Sequence, residues 1–100
     1  MKLFGLIGFP LTHSFSRRYF SEKFTKENLD NCEYQNFEIQ DISLLPGIIS
    51  QNRNLKGLNV TIPYKQQVQP FLNELDSSAR EVGAVNVIKV SEEGKLKGYN

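Results

Sequence analysis

An amide, a hydroxyl and an amine occur close together in the middle of the chain, at Asn59, Thr61 and Lys65. Apolar residues alternate with Asn59 and Thr61, so a strand over this segment directs both polar side chains to one face. Pro63 suits the start of a helix, which predicts that Lys65 lies in the first helical turn. An amine beside hydroxyl and amide groups suits proton transfer on a hydroxylated small molecule. The simpler alternative is a surface lysine after a strand whose Asn and Thr only cap the helix.

A second candidate site precedes the first predicted helix. Ser16 is expected to cap a helix on which Phe20 and Phe24 share one face, and Ser14 adds a hydroxyl in the loop before it. The N–H groups at a helix start attract anions, so this loop could bind a carboxylate. Alternatively, both serines only satisfy the helix end. His13, the only histidine, is expected to pack or hydrogen-bond locally.

Asn86 is the single amide in an apolar, β-branched run over residues 84–90. Such a run predicts a strand. An Asn where the strand begins is either bonded to backbone or placed for a ligand, and the sequence alone leaves both interpretations open.

Strands and short helices alternate around these polar residues. Strands are predicted over residues 3–7, 32–39, 58–62 and 84–90, and helices begin near Ser16, Asp41, Pro63 and Asp76. A turn at residues 92–94 predicts a hairpin into residues 95–100. This order predicts a three-layer α/β/α sandwich with a mainly parallel mixed sheet and an antiparallel hairpin near one edge. A parallel sheet would bring the candidate residues together at the edge where its strands end.

Composition limits the function further. One hundred residues with 39% hydrophobic content are enough for one domain, residues 1–100. A formal net charge of +1 favours neither nucleic acid nor an anionic membrane. Cys32 is the only cysteine, which excludes an internal disulfide and fits a cytoplasmic protein. Gly5 and Gly8 lack the full glycine pattern of a dinucleotide loop. A small polar ligand without a metal is therefore expected.

Four segments of the sequence follow a recognisable order. They are Gly-Phe-Pro-Leu-Thr-His-Ser-Phe-Ser at residues 8–16, Asn-Val-Thr-Ile-Pro-Tyr-Lys at 59–65, Gly-Ala-Val-Asn at 83–86 and Gly-Tyr-Asn at 98–100. In their residues and in their order they resemble the N-terminal, substrate-binding domain of the shikimate dehydrogenase family, and the resemblance spans essentially the whole chain.

The resemblance implies a role for each polar residue. The substrate carboxylate would be bound by Ser14 and Ser16, and the ring hydroxyls would contact Asn59, Thr61, Lys65 and Asn86. Lys65 would be the catalytic acid and base. The implied reaction is the reversible, NADP-dependent reduction of 3-dehydroshikimate to shikimate in aromatic amino-acid biosynthesis.

The sequence departs from the family pattern at several positions. The family usually has proline where this chain has Arg17, and often histidine where it has Phe20. Its fourth segment continues into Thr-Asp, whose aspartate partners the lysine, and an NADP-binding domain follows. Because this chain ends at Asn100, we expect an excised substrate-binding domain that does not turn over alone.

Two alternatives remain open. The parent could be a quinate/shikimate dehydrogenase with a broader substrate range, or the chain could be a non-catalytic binding domain of the same fold. The resemblance also leaves open NAD in place of NADP, and a homodimer.

Overall fold

A six-stranded sheet forms the middle layer of the computed structural model, which describes residues 1–11 and 16–100. The strands are β1 Lys2–Gly8, β2 Cys32–Glu38, β3 Leu55–Val60, β4 Glu74–Leu75, β5 Val87–Val90 and β6 Leu96–Tyr99. Their order across the sheet is β2-β1-β3-β5-β6-β4. The pairs β1–β2, β1–β3 and β4–β6 are parallel, whereas β5 runs antiparallel to both of its neighbours. The predicted mixed sheet with an antiparallel hairpin near one edge is therefore confirmed.

Four helices of the described residues cover the two faces of this sheet. They are α1 Ser16–Lys26, α2 Leu45–Gln51, α3 Tyr64–Gln67 and α4 Ser77–Val82, with short 3-10 turns at Ile42–Leu44 and Gln69–Phe71. On one face, Phe20 and Phe24 of α1 pack on Leu6 and Tyr34. On the other face, the larger core joins the sheet to α2, α3 and α4, and its fully buried residues include Ile7, Leu45, Val68 and Ile88. These two layers on one sheet confirm the predicted three-layer sandwich.

Local capping signals place the helices as the sequence predicts. Asp41 accepts a hydrogen bond from the Ser43 N–H at 2.8 Å, and Asp76 accepts one from the Ser78 N–H at 3.2 Å. Gly83 closes α4 in the left-handed region, with φ of 74°. The weak helix expected around Pro46 is present as a 3-10 turn followed by α2.

Several boundaries differ from the predictions. Strand β3 ends at Val60, so Thr61 follows the strand, and β5 begins at Val87, one residue after Asn86. Helix α3 is a single turn, because Pro70 lies in the 3-10 turn that replaces its continuation. The two-residue edge strand β4 carries no hydrophobic pattern long enough for prediction.

No helix within residues 1–11 and 16–100 is long and apolar enough to cross a membrane.

Candidate functional site

Backbone hydrogen bonds hold two of the predicted site residues, Thr61 and Asn86, at one edge of the sheet. The Thr61 N–H donates to the carbonyl of Ile7 at 2.9 Å, which ties Thr61 to the carboxyl end of β1. The Val60 N–H donates to the carbonyl of Asn86 at 2.8 Å. The segment carrying Asn86 therefore lies beside the carboxyl end of β3, where a parallel sheet commonly forms its ligand site.

Lys65 is connected to the same edge through its own backbone. Its carbonyl accepts a hydrogen bond from the Val85 N–H at 2.8 Å, which places α3 against the chain just before Asn86. Pro63 is the N-cap of α3, so Lys65 is in the first helical turn, as predicted. Its side chain is exposed to solvent. The lysine is thus accessible while its backbone is fixed.

Tyr64 anchors the helix that carries Lys65. Its ring is 3% exposed, and its hydroxyl donates a hydrogen bond to the carbonyl of Ile39. Burial raises the pKa of the Tyr64 hydroxyl, and the negative charge of Asp41 adds to this effect. The hydroxyl therefore remains a neutral donor, and it fixes the first turn of α3 to the end of β2.

Asn59 points to the sheet face that α1 covers in part. Its Nδ2 donates a hydrogen bond to the Tyr34 hydroxyl at 2.8 Å, across the intervening strand β1. Asn59 is half-buried, whereas Tyr34 is only 4% exposed. The amide is therefore oriented by a buried partner.

Thr61 is packed tightly against the end of β1. A Cβ atom built on Gly8 would lie 2.5 Å from the Thr61 Cγ2 and 2.9 Å from the Leu11 Cδ2. The Phe9 N–H donates to the carbonyl of Ile62 at 3.0 Å. This bond joins the residues that directly follow Gly8 and Thr61. The position of Thr61 thus depends on the absence of a side chain at residue 8.

The side chains of Thr61, Lys65 and Asn86 have no hydrogen-bond partner among residues 1–11 and 16–100, and each is partly or fully exposed. Together with Asn59 they place one hydroxyl, one amine and two amides along one edge of the sheet. Hydroxyls and amides can donate and accept hydrogen bonds, and an amine can transfer a proton. This arrangement suits a small ligand rich in hydroxyl groups.

The serine half of the predicted site is not described to the same extent. Ser14 and His13 lie outside the described residues, and of Ser16 the structure describes only its place as the first residue of α1. The predicted carboxylate site therefore stays a prediction.

The glycines of β1 allow neighbouring segments to pack closely on the strand. A Cβ atom at Gly5 would lie 2.6 Å from the carbonyl oxygen of Gln35 and 2.6 Å from the Phe37 ring. Neighbouring protein atoms thus occupy the space where a side chain at Gly5 or Gly8 would lie. Within the described part of the chain, no cluster of three His, Cys, Asp or Glu residues could hold a metal ion.

Sequence reasoning missed two tyrosines that position the candidate residues. Tyr34 orients Asn59, and Tyr64 fixes α3, each through a hydrogen bond between residues 25 apart in the chain. The alternation within β2 could have placed Tyr34 on one sheet face, but only the strand order brings that face to Asn59.

A cavity of about 730 Å³ beside α1 reaches Tyr34 and Asn59 but is not lined by Thr61, Lys65 or Asn86. As far as the described residues show, the candidate site is therefore an open edge of the sheet.

Comparison with known proteins identifies similar sequences across the chain. The family model of the shikimate dehydrogenase substrate binding domain matches residues 6–88. A shikimate dehydrogenase (NADP(+)) of Syntrophomonas wolfei is 50% identical over 101 residues, which cover 99% of this chain and 34% of the relative. The chain thus spans about a third of the length of the curated relatives it matches.

Solved structures show the same similarity in three dimensions. Shikimate dehydrogenase 1 of Peptoclostridium difficile is 40% identical with a TM-score of 0.89, over 100% of this chain and 38% of that chain. Shikimate 5-dehydrogenase of Thermus thermophilus, crystallised with shikimate, is 29% identical with a TM-score of 0.86, over 100% of this chain and 38% of that chain.

Proposed function

The chain belongs to the family of shikimate dehydrogenase substrate-binding domains, and we propose from this premise that it binds shikimate and 3-dehydroshikimate within a complete NADP-dependent dehydrogenase. The observation that carries the proposal is the set of accessible Thr61, Lys65 and Asn86 side chains, which lack a partner among the described residues, at the carboxyl edge of the sheet. A cyclohexene ring with three hydroxyl groups presents several donors and acceptors to such a set.

Lys65 is the proposed acid and base. In the reducing direction its ammonium group gives a proton to the carbonyl oxygen of 3-dehydroshikimate, and in the reverse direction its neutral amine takes the hydroxyl proton of shikimate. Fixing the backbone of α3 through Tyr64 and Val85 supports this role, because proton transfer requires a held geometry. The amine is accessible, so a ligand can approach it.

The remaining residues are proposed to bind and orient the ring. Asn59, Thr61 and Asn86 would contact its hydroxyl groups, and Ser14 and Ser16 would bind its carboxylate. The start of α1 at Ser16 supports the second assignment, since backbone N–H groups at a helix start favour an anion.

We assign the cofactor to the remainder of the complete protein. Relatives of this chain carry NADP(+) in their names, and Gly5 and Gly8 lack the full glycine pattern of a dinucleotide loop. NADP supplies the hydride chemistry when it is bound. A cytoplasmic location and a homodimer stay predictions.

Substitution of Lys65 in the complete enzyme tests this proposal. Lys65→Ala should lower kcat for shikimate by roughly 10²–10⁴-fold, the range for a positioned acid or base, while KM changes much less. Lys65→Arg should restore little activity, because a guanidinium does not readily release its proton. Lys95→Ala, at an exposed lysine in the β5–β6 turn, is the matched control and should leave both constants unchanged.

Two results would contradict the assignment. If alanine mainly raises KM and arginine restores kcat, Lys65 is an electrostatic anchor and not the acid and base. If the wild-type enzyme binds shikimate but does not oxidise it with NADP, the chain is a non-catalytic binding domain.

A further inference from the structure

We infer that Tyr34 is a positioning residue for the substrate site, whose hydroxyl fixes the Asn59 amide and whose ring is held by Phe20. The inference rests on the proposed function, because it assigns Tyr34 a role through a residue that would bind the substrate ring.

The register of the sheet explains how Tyr34 reaches Asn59. Tyr34 pairs with Phe4 and Asn59 pairs with Leu6, so both residues lie on the same face, with β1 between their strands. Strands that are two apart are separated by about 10 Å, more than two short side chains can span. A tyrosine is long enough to bring its hydroxyl to the Asn59 Nδ2, at 2.8 Å. A shorter polar residue at position 34 could not replace it.

The hydrogen bond determines which groups Asn59 offers to a ligand. A carboxamide has two N–H donors and one oxygen acceptor in a rigid plane. With one N–H bonded to Tyr34, the second N–H and the Oδ1 of Asn59 remain for other partners. The amide then presents its oxygen as an acceptor for a ligand hydroxyl.

Aromatic packing holds the Tyr34 ring in place. It is 4% exposed and stacks on Phe20, with ring centroids 4.7 Å apart and an interplanar angle of 15°. Phe20 in turn contacts Phe24 at 6.2 Å, and both belong to α1. Phe20 lies one helical turn after Ser16, so the helix that begins at Ser16 also sets the Tyr34 ring. Phe20, where the family often has histidine, therefore supports the site by packing on Tyr34.

The test is a double-mutant cycle in the complete enzyme. Tyr34→Phe keeps the ring and its stack but removes the hydroxyl. We expect kcat/KM for shikimate to fall about three- to tenfold, the effect of one lost hydrogen bond, mainly through a higher KM. In an Asn59→Ala background the same change should lower kcat/KM by clearly less than in the wild type, because the part of its effect that acts through Asn59 is already lost. The KM for NADP should stay constant.

Tyr19→Phe is the matched control for the cycle. Tyr19 lies next to Phe20 on α1, is 57% exposed and forms a T-shaped ring contact with Phe20. Removing its hydroxyl should change neither kcat/KM for shikimate nor KM for NADP.

A direct readout uses the side-chain amide of Asn59 in a ¹⁵N-correlated NMR spectrum. Its resonances, identified by their loss in Asn59→Ala, should shift in Tyr34→Phe and not in Tyr19→Phe. This readout needs no turnover, so it tests the contact even if the wild-type enzyme fails to oxidise shikimate and the proposed function is lost.

Several outcomes would overturn the inference. An equal loss of kcat/KM in the wild-type and Asn59→Ala backgrounds would show that the Tyr34 hydroxyl does not act through Asn59. An unshifted Asn59 amide would show that the bond does not orient it. Failure of Tyr34→Phe to fold would show that the hydroxyl is a requirement of the fold and not a positioning group.

Discussion

Gly8→Ala should damage the candidate site although it replaces none of the residues proposed to bind the substrate. The change adds one methyl group at the carboxyl end of β1, in ordinary strand conformation. That methyl would lie 2.5 Å from the Thr61 Cγ2, 2.9 Å from the Leu11 Cδ2 and 3.1 Å from the carbonyl oxygen of Ile62. Three atoms on two segments, residues 61–62 and Leu11, therefore crowd one added atom.

The size of the effect follows from these distances. Ordinary contact begins at 3.4 Å, so the Thr61 methyl must retreat by about 0.9 Å. Thr61 is β-branched and has few alternative rotamers, and the Ile62 carbonyl is held by the Phe9 N–H at 3.0 Å. Overpacking of this kind costs about 1–3 kcal/mol of unfolding free energy. A shift of about 1 Å in a substrate-positioning residue can lower kcat/KM by about 10²-fold.

The assay combines thermal unfolding of the domain with shikimate oxidation by the complete enzyme. Each kcal/mol should lower the melting temperature of a domain of this size by about 4–8 °C. Gly47→Ala is the control, since Gly47 lies in α2 and its added Cβ would have no neighbour within 4 Å. That variant should keep full activity and gain about 0.5–1 kcal/mol, because alanine suits a helix better than glycine.

Two results would refute this reasoning. If Gly8→Ala matches Gly47→Ala in both assays, the crowding at Thr61 is not real. If stability falls but kcat/KM for shikimate does not, the crowding is real and Thr61 is not part of the substrate site.

Two further predictions concern the domain and one of its helix caps. The 100-residue chain alone should show no measurable NADP-dependent oxidation of shikimate. Steady turnover by a purified sample free of host dehydrogenase would show that the cofactor site and the catalytic groups have been assigned wrongly. Hydrogen bonds from the Ser78 hydroxyl and N–H lower the pKa of Asp76 below its ordinary 3.8. Its stabilising effect should therefore be complete above pH 3.8 and decline as the pH falls below that value through the folded-state pKa. Asp76→Ser keeps a capping oxygen that does not titrate, so its thermal stability should lack that decline, and an identical decline in both proteins would contradict the assignment.

Local sequence signals determined most of the elements and their ends. Asp41, Asp76 and Gly83 cap helices by bonds or backbone conformations within a few residues of themselves. Pro63 placed Lys65 in the first turn of α3 for the same local reason. The four recognisable segments also identified the family, whose model matches residues 6–88.

Only the tertiary structure decided how the candidate residues are held. The bonds from Asn59 to Tyr34 and from Tyr64 to Ile39 each join residues 25 apart, and the contact of Gly8 with Thr61 joins two different strand ends. Each depends on the order β2-β1-β3 and on the register of those strands. Strand order and register arise from packing across the whole sheet, so no pattern within a single segment can specify them.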